Sequence, residues 1–162
     1  MLVLARFALI VTSDSVYNGI KKDEITPIVE KMLKEYNQEL VFKTIIKNNK
    51  EDLINALNNS LNISDIILVT GGTGISPKDI SIDVVKSIAQ KELPGFGEIH
   101  RMKSFNDVGY RVVLSRASAF IINKNLVAVS PGNPSAVKIS LEILISIANH
   151  AVEQLSGKPH DK

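Results

Sequence analysis

The spacing of apolar and polar positions changes period along the chain, and each change marks a new element. Phe7–Thr12 is a short apolar run of the kind that forms a strand covered on both faces. Arg6 splits it from Leu2-Val3-Leu4-Ala5, and Thr12-Ser13-Asp14-Ser15 closes it without a small-residue cleavage pattern. The run therefore reads as a buried first strand and not as a secretion signal. Val29, Met32, Leu33 and Tyr36 then recur at helical spacing, predicting a helix that starts near Asp23 or Thr26, with Thr26-Pro27 as cap and first-turn proline. Leu40–Ile46 predicts a second strand, Leu53, Ile54, Leu57 and Leu61 the inner stripe of a second helix, and Ile66–Thr70 a third strand.

Beyond this point Ser81 is a cap for a helix carrying Val84, Val85, Ile88 and Ala89. Pro94-Gly95-Phe96-Gly97 interrupts that helix, and a second short one runs through Ile99 and Met102. Ala119-Phe120-Ile121-Ile122 and Leu126-Val127-Ala128-Val129 flank Asn123-Lys124-Asn125, a turn too tight for a parallel crossover, so one strand is antiparallel. A last helix opens with Asn133 as cap and Pro134 in the first position, carries Val137, Leu141, Leu144, Ala148, Ala151 and Leu155 on one stripe, and stops at Gly157 and Pro159. Alternating strands and helices imply right-handed crossovers and a three-layer α/β/α sandwich, its sheet mostly parallel with one antiparallel hairpin strand.

Composition narrows the classes. At 162 residues the chain is long enough for one domain, residues 1–162, with a single core. A net charge of +2, scattered Lys and Arg, five Phe, three Tyr and no Trp give no support for nucleic-acid binding. The absence of cysteine excludes disulfides, thiolate metal sites and cysteine catalysis, and suits a cytoplasmic location. No stretch after the first strand reads as the run of about 18 apolar residues that a membrane span needs.

Chemistry gathers at Thr70-Gly71-Gly72-Thr73-Gly74, which follows a buried strand and precedes Asp79. Glycines permit positive φ and close backbone approach, while hydroxyls and bare N–H groups donate to phosphate oxygens. A Walker A loop is absent, because Lys78 is followed by Asp79, and the third glycine of a dinucleotide loop is missing. In an open α/β sheet ligands bind beyond the carboxyl ends of the strands. That rule collects Ser13-Asp14-Ser15, Lys47-Asn48-Asn49, the glycine loop, Leu114-Ser115-Arg116-Ala117 and Ser130-Pro131-Gly132-Asn133-Pro134. Each segment also has a simpler reading as a cap or turn. Arg116 either binds a substrate phosphate or pairs with a carboxylate, and Glu98 either faces the pocket or only suits a helix N-terminus. Lys21-Lys22 is a solvated loop or steers an anion. His100, His150 and His160 lack metal-ligand spacing.

Taken in order, Thr70-Gly71-Gly72-Thr73-Gly74 with Asp79, Pro94-Gly95-Phe96-Gly97-Glu98, Leu114-Ser115-Arg116-Ala117 and Pro131-Gly132-Asn133-Pro134-Ser135-Ala136-Val137 resemble the MoaB/MogA family of molybdenum-cofactor biosynthesis proteins, and the gephyrin G domain. With Ser13-Asp14-Ser15 and Gly19 the resemblance covers nearly the whole chain. It implies binding of molybdopterin and transfer of AMP from ATP to its phosphate, assisted by Mg²⁺. Thr70 to Gly74, Ser13, Asp14, Ser15, Glu98, Ser115, Arg116, Ser130, Pro131, Gly132 and Asn133 are then expected at the pterin and nucleotide, and Asp79 at the metal. It also implies a homotrimer or a multiple of one, to which Ile139, Ile143 and Ile147 add apolar helix surface.

One position departs from the family. An acidic residue is usual after the second strand, and here Asn48 stands there without charge. Asn48 or Asn49 also serves as a cap for the next helix, and Asp52 is a possible substitute for the missing acid. The alternative reading is therefore a non-catalytic molybdopterin-binding or carrier protein of the same fold.

Overall fold

The computed structural model describes residues 4–157. Leu2, Val3, Pro159 and His160 lie outside the described residues. Six strands form one sheet in the order β2-β1-β3-β6-β5-β4, where β1 is Arg6–Thr12, β2 Glu39–Ile46, β3 Ile66–Thr70, β4 Lys91–Leu93, β5 Ser118–Ile122 and β6 Asn125–Ser130. β2, β1, β3 and β6 are mutually parallel, β5 runs against β6, and β4 runs against β5. Only β5 therefore opposes the other five, as the tight turn at 123–124 requires.

Both faces of the sheet are covered, which is why β1, β3 and β6 carry continuous apolar runs. On one face Phe7, Leu9, Ile66, Leu68 and Leu126 pack against α2 (Ile25–Glu35) and α6 (Pro134–Leu155). On the other, Ile10, Ile67, Val69, Phe120 and Val127 pack against α3 (Lys50–Leu61) and α4 (Ser81–Ile88). The layers are those of the expected sandwich. α6 is long and apolar enough to cross a membrane by length and composition, contrary to the sequence reading. Its residues Val137, Leu141, Leu144 and Ala148 are buried in the core, however, as in the core helix of a globular protein.

Several boundaries move for local reasons. A short helix α1 (Asp14–Tyr17) follows β1, capped by the Ser13 hydroxyl, which accepts from Val16 N at 3.2 Å. Asp23 and not Thr26 closes the first turn of α2, its Oδ1 accepting from Ile25 N and Thr26 N at 2.9 and 3.1 Å. Tyr36 sits at the end of that helix and is exposed. Ser81 is the first residue of α4 and makes no cap bond. Pro94 opens a fifteen-residue helix, α5 (Pro94–Val108), because a proline is tolerated where the N–H needs no partner. α5 leads into a 3-10 segment, Gly109–Leu114.

Candidate functional site

Strand register brings the polar ends together. Val11 pairs with Thr70, Thr70 with Ser130, and Thr12 with Ile46, so the chain leaves β1, β2, β3 and β6 at one level. The Thr12 hydroxyl donates to Thr70 O at 2.9 Å, Gly71 N to Ser130 O at 2.8 Å, and Ser13 N to Ile46 O at 2.9 Å. Gly71 and Gly72 both have positive φ, 96° and 75°. A Cβ on Gly71 would lie 2.5 Å from Thr12 O, and one on Gly72 would strike the Ser81 hydroxyl. The loop thus needs these glycines first to fit its own protein.

Residues 72–79 have a consistent polarity. Gly72 O accepts from Ser81 N at 3.1 Å, Thr73 O from Arg116 N at 2.8 Å, Gly74 O from Arg116 Nε at 2.9 Å and Asp79 O from Arg116 Nη2 at 2.8 Å. The N–H groups of Gly72, Thr73 and Gly74 have no acceptor among the described residues. Carbonyls are held inside and donors are left over, the arrangement that attracts an anion.

Unpartnered side-chain atoms gather at the same end. Five buried side-chain polar atoms lack a partner among the described residues, and three of them, Asn48 Oδ1, Thr70 Oγ1 and Ser81 Oγ, belong to it. Thr70 and Ser81 are fully buried, with 0% and 1% exposure, so their unmet hydroxyls carry a desolvation cost. The sequence reading took Ser81 only for a cap. Its signal was its place two residues after Asp79, at the start of a helix that the glycine loop enters.

The remaining expected residues have mixed placements. Asp79 is half-buried; its Oδ2 accepts from Ser76 N at 3.0 Å, and Oδ1 has no protein partner. Asp14 Oδ1 accepts from Asn48 N at 2.9 Å, so a carboxylate stands beside the uncharged Asn48. Asn49, not Asn48, caps α3, and Asp52 is turned back to it: Asn49 Oδ1 accepts from Asp52 N at 2.8 Å while Asn49 Nδ2 donates to Asp52 Oδ2 at 3.1 Å. Asp52 is thus engaged as a capping partner. Ser13 and Ser15 are 3.2 Å apart through their hydroxyls. Ser130 accepts from Ser140 Oγ at 2.7 Å, and Asn133 caps α6 by accepting from Ala136 N at 2.9 Å. Gly132 comes so close to Gly71 that a Cβ there would lie 3.3 Å from Gly71 Cα. Glu98 is exposed on α5, and no hydrogen bond joins it to the others.

A cavity of about 270 Å³ adjoins this cluster, lined by Ser115, Pro131 and Asn133 together with His100, Ser104, Asp107 and Arg111. His100 is buried; its Nε2–H donates to Ala136 O at 3.0 Å, and Nδ1 lies 3.3 Å from Ser104 Oγ. Burial, followed by the nearby Arg101 charge, holds its pKa below the ordinary 6.5, while the bond to Ala136 opposes the shift. Arg101 itself ties down the carbonyls of Ser115 and Ala117 at 3.2 and 2.8 Å.

Among the described residues no group of three or more His, Asp or Glu side chains can cage a metal. The donor set nevertheless fits Mg²⁺, which commonly takes one or two carboxylates and completes its shell with water and substrate phosphates. Asp79 Oδ1, which accepts no hydrogen bond among the described residues, is such a hard oxygen.

Comparison with known proteins places the chain among proteins of known family. Residues 8–150 match the family model described as a probable molybdopterin binding domain. Over 153 residues the chain is 36% identical to a molybdopterin adenylyltransferase of Pyrococcus furiosus, covering 91% of this chain and 89% of that protein. It is 33% identical over 153 residues to a probable molybdopterin adenylyltransferase of Methanocaldococcus jannaschii, with 93% of both covered. The fold superposes on the tungsten cofactor synthesizing protein MoaB of Pyrococcus furiosus with a TM-score of 0.87 and 35% identity, over 94% of this chain and 97% of that one.

Proposed function

This chain belongs to the molybdopterin-binding domain family, and from that premise we propose that it is a molybdopterin adenylyltransferase, acting in molybdenum-cofactor biosynthesis. The observation that carries the reading is the polarity of residues 72–79, with tethered carbonyls and unpartnered N–H groups beside the buried Thr70 and Ser81 hydroxyls. Such a cradle suits the triphosphate of ATP and the phosphate of the pterin, two anions that must meet.

In the proposed reaction an oxygen of the pterin phosphate attacks the α-phosphorus of ATP. The new P–O bond joins AMP to the pterin, and the bond to the β-phosphate breaks to release pyrophosphate. The protein's task is to orient the reactants in line and to stabilise their charge. Gly72, Thr73 and Gly74 donate through their N–H groups, and Thr70 and Ser81 through their hydroxyls. Asp79 would hold Mg²⁺, with Asp14 as the second carboxylate at this end. When bound, the ion supplies neutralisation of phosphate charge. We assign the pterin to the cavity beside Ser115, Pro131 and Asn133, whose lining offers both donors and acceptors.

A second reading, that of a non-catalytic molybdopterin carrier, draws on Asn48, which brings no charge where the family usually has an acid. Asp14 weakens that argument, since its carboxylate contacts the Asn48 N–H. Assembly as a homotrimer or a multiple of it accords with the apolar surface. Of the three isoleucines expected to add to it, Ile147 is exposed, Ile139 is half-buried and Ile143 packs against the core, while Ile99, Met102, Phe105, Tyr110 and Val113 on α5 and the 3-10 segment are exposed as well. Light scattering reporting only monomer at micromolar concentration would refute the assembly. The function is tested by incubating the protein with ATP, Mg²⁺ and molybdopterin: adenylylated pterin and pyrophosphate are expected, and ligand retention without turnover would favour the carrier.

A further inference from the structure

Arg116 has an unusual set of partners for a residue at a phosphate site. Its Nε donates to Gly74 O at 2.9 Å and its Nη2 to Asp79 O at 2.8 Å, while Nη1 and Nη2 reach Asp83 Oδ1 and Oδ2 at 2.9 and 3.2 Å. Three of its four terminal and Nε contacts are 2.9 Å or shorter, and only one Nη1 hydrogen remains uncommitted. We infer that Arg116 is a positioning residue, which together with Asp83 braces both ends of the 74–79 segment and so fixes the Asp79 carboxylate where it meets the metal.

The inference rests on the adenylyl-transfer reading and deepens it. Residues 75–78 are exposed, and their internal bonds, Asp79 N to Ser76 O at 2.9 Å and Ser76 N to Asp79 Oδ2 at 3.0 Å, close a small loop around the carboxylate. These bonds shape the loop but do not attach it to the sheet. Beyond the Ser81 N to Gly72 O bond at its base, the attachment comes from Arg116, whose backbone is itself pinned to Thr73 O. A planar fork is needed for this, since one guanidinium must meet two carbonyls and a carboxylate at fixed angles; a lysine ammonium is a single point with rotatable donors. Asp83, in the first turn of α4, fixes the plane of the fork.

Stability is a poor explanation for the arrangement. The Arg116 and Asp83 side chains are 35% and 62% exposed, and ion pairs of that kind add little to folding. The brace should therefore separate function from stability. A substrate ligand would behave differently: a phosphate bound directly by Arg116 would meet only the one uncommitted Nη1 hydrogen or would have to displace Asp83, and loss of the guanidinium would then weaken pterin binding without altering the metal requirement.

The full chain and the variants Arg116→Lys and Asp83→Asn decide between them. Three quantities are measured: hydrogen exchange of the 75–79 amides, binding of Mn²⁺ in the presence of ATP by paramagnetic resonance, and adenylyl transfer as a function of Mg²⁺ and of molybdopterin. Arg116→Lys is expected to accelerate exchange in 75–79 and to raise the half-saturating metal concentration by about 10-fold, the scale of a lost outer-shell partner. The KM for molybdopterin and the melting temperature should stay close to those of the wild type. Asp83→Asn should shift both quantities in the same direction by less. Unchanged exchange and unchanged metal dependence in both variants would overturn the brace, as would a raised molybdopterin KM at constant metal dependence. A wild type that binds Mn²⁺ with ATP yet transfers no AMP would defeat the proposed function alone, leaving exchange and metal binding to judge Arg116.

Discussion

At the amino end of the sheet, β2 skips Val41 in its register with β1, and a groove of about 770 Å³ opens between Leu4, Leu33, Leu40 and Phe42, flanked by Glu30 and Lys43. Its charges are matched, Lys43 donating to Glu30 at 3.3 Å, and one buried polar atom there, Gln38 Oε1, lacks a partner. At the carboxyl end the adjoining cavity is about 270 Å³, yet Asn48, Thr70 and Ser81 all leave a buried polar atom unmet beside a row of free N–H groups. The larger hollow is a place where surfaces fit together badly. The carboxyl end, in residues beside that smaller cavity and not in its own lining, is where folding has taken polar atoms out of water without pairing them, and that difference is the better guide to binding.

The severest way to break the carboxyl end is Gly72→Val. Its positive φ and the collision with Ser81 oppose any side chain, so the variant should lose about 3 kcal/mol of stability or more. The variant is expected to fail in folding before it fails in ligand binding, measured by denaturant unfolding. An unchanged midpoint would show that the loop is not packed as described.

Next in size is Asp79→Asn, expected to lower Mg²⁺-dependent transfer on the order of 100-fold with a melting temperature near that of the wild type. If Asp79 only shaped its loop through Ser76, the amide could still accept that bond and activity would persist. Asp14→Asn should also lose activity, whereas Asn48→Asp should gain none, because a carboxylate already faces that position. A clear gain from Asn48→Asp would restore the missing acid as the limiting feature.

A gentler test compares the two ends directly. Ser81→Ala removes an unmet buried hydroxyl, so ATP affinity should fall by about 10-fold while stability holds or rises slightly. Gln38→Leu removes the unmet atom of the amino-end groove and should leave ATP binding unaltered. Equal effects of the two, measured by calorimetry and thermal melting, would erase the distinction between the ends.

The smallest effect concerns His100. Burial lowers its pKa in the folded state, so the unfolded chain binds the proton more readily below pH 6.5. Its contribution to stability is complete above that pH and is lost as pH falls toward the depressed folded value. Melting temperatures between pH 7 and 5 should decline less steeply in His100→Gln than in the wild type; parallel curves would mean that the ring titrates normally.

Much of this architecture follows from local sequence. The continuous apolar runs of β1, β3 and β6 needed burial on both faces, the turn at 123–124 was too short for a crossover, and Asn133-Pro134 satisfied the first turn of α6 from residues at hand. The glycine loop after β3 was visible for the same reason. Elements without a dominant local signal were not. β4 has three exposed residues and exists because β5 offers an edge, and the close of α2 by Asp23 in place of Thr26 depends on which oxygen reaches the free amides first.

The site divides along the same line. Residue types, meaning glycines, hydroxyls and a carboxylate at the end of a buried strand, were determined by the sequence itself, together with the family they resemble. What each side chain does was decided by tertiary structure. Arg116 lies 42 positions from Gly74 and 33 from Asp83, and Asp14 lies 34 from Asn48, separations across which no periodicity carries information. Only after the sheet aligns the strand ends does a guanidinium find two loop carbonyls, and only burial against Gly72 leaves the Ser81 hydroxyl without a partner. Hydrogen bonding at such range is a property of the packed fold, because its geometry exists only when the strands on either side have already been fixed in register.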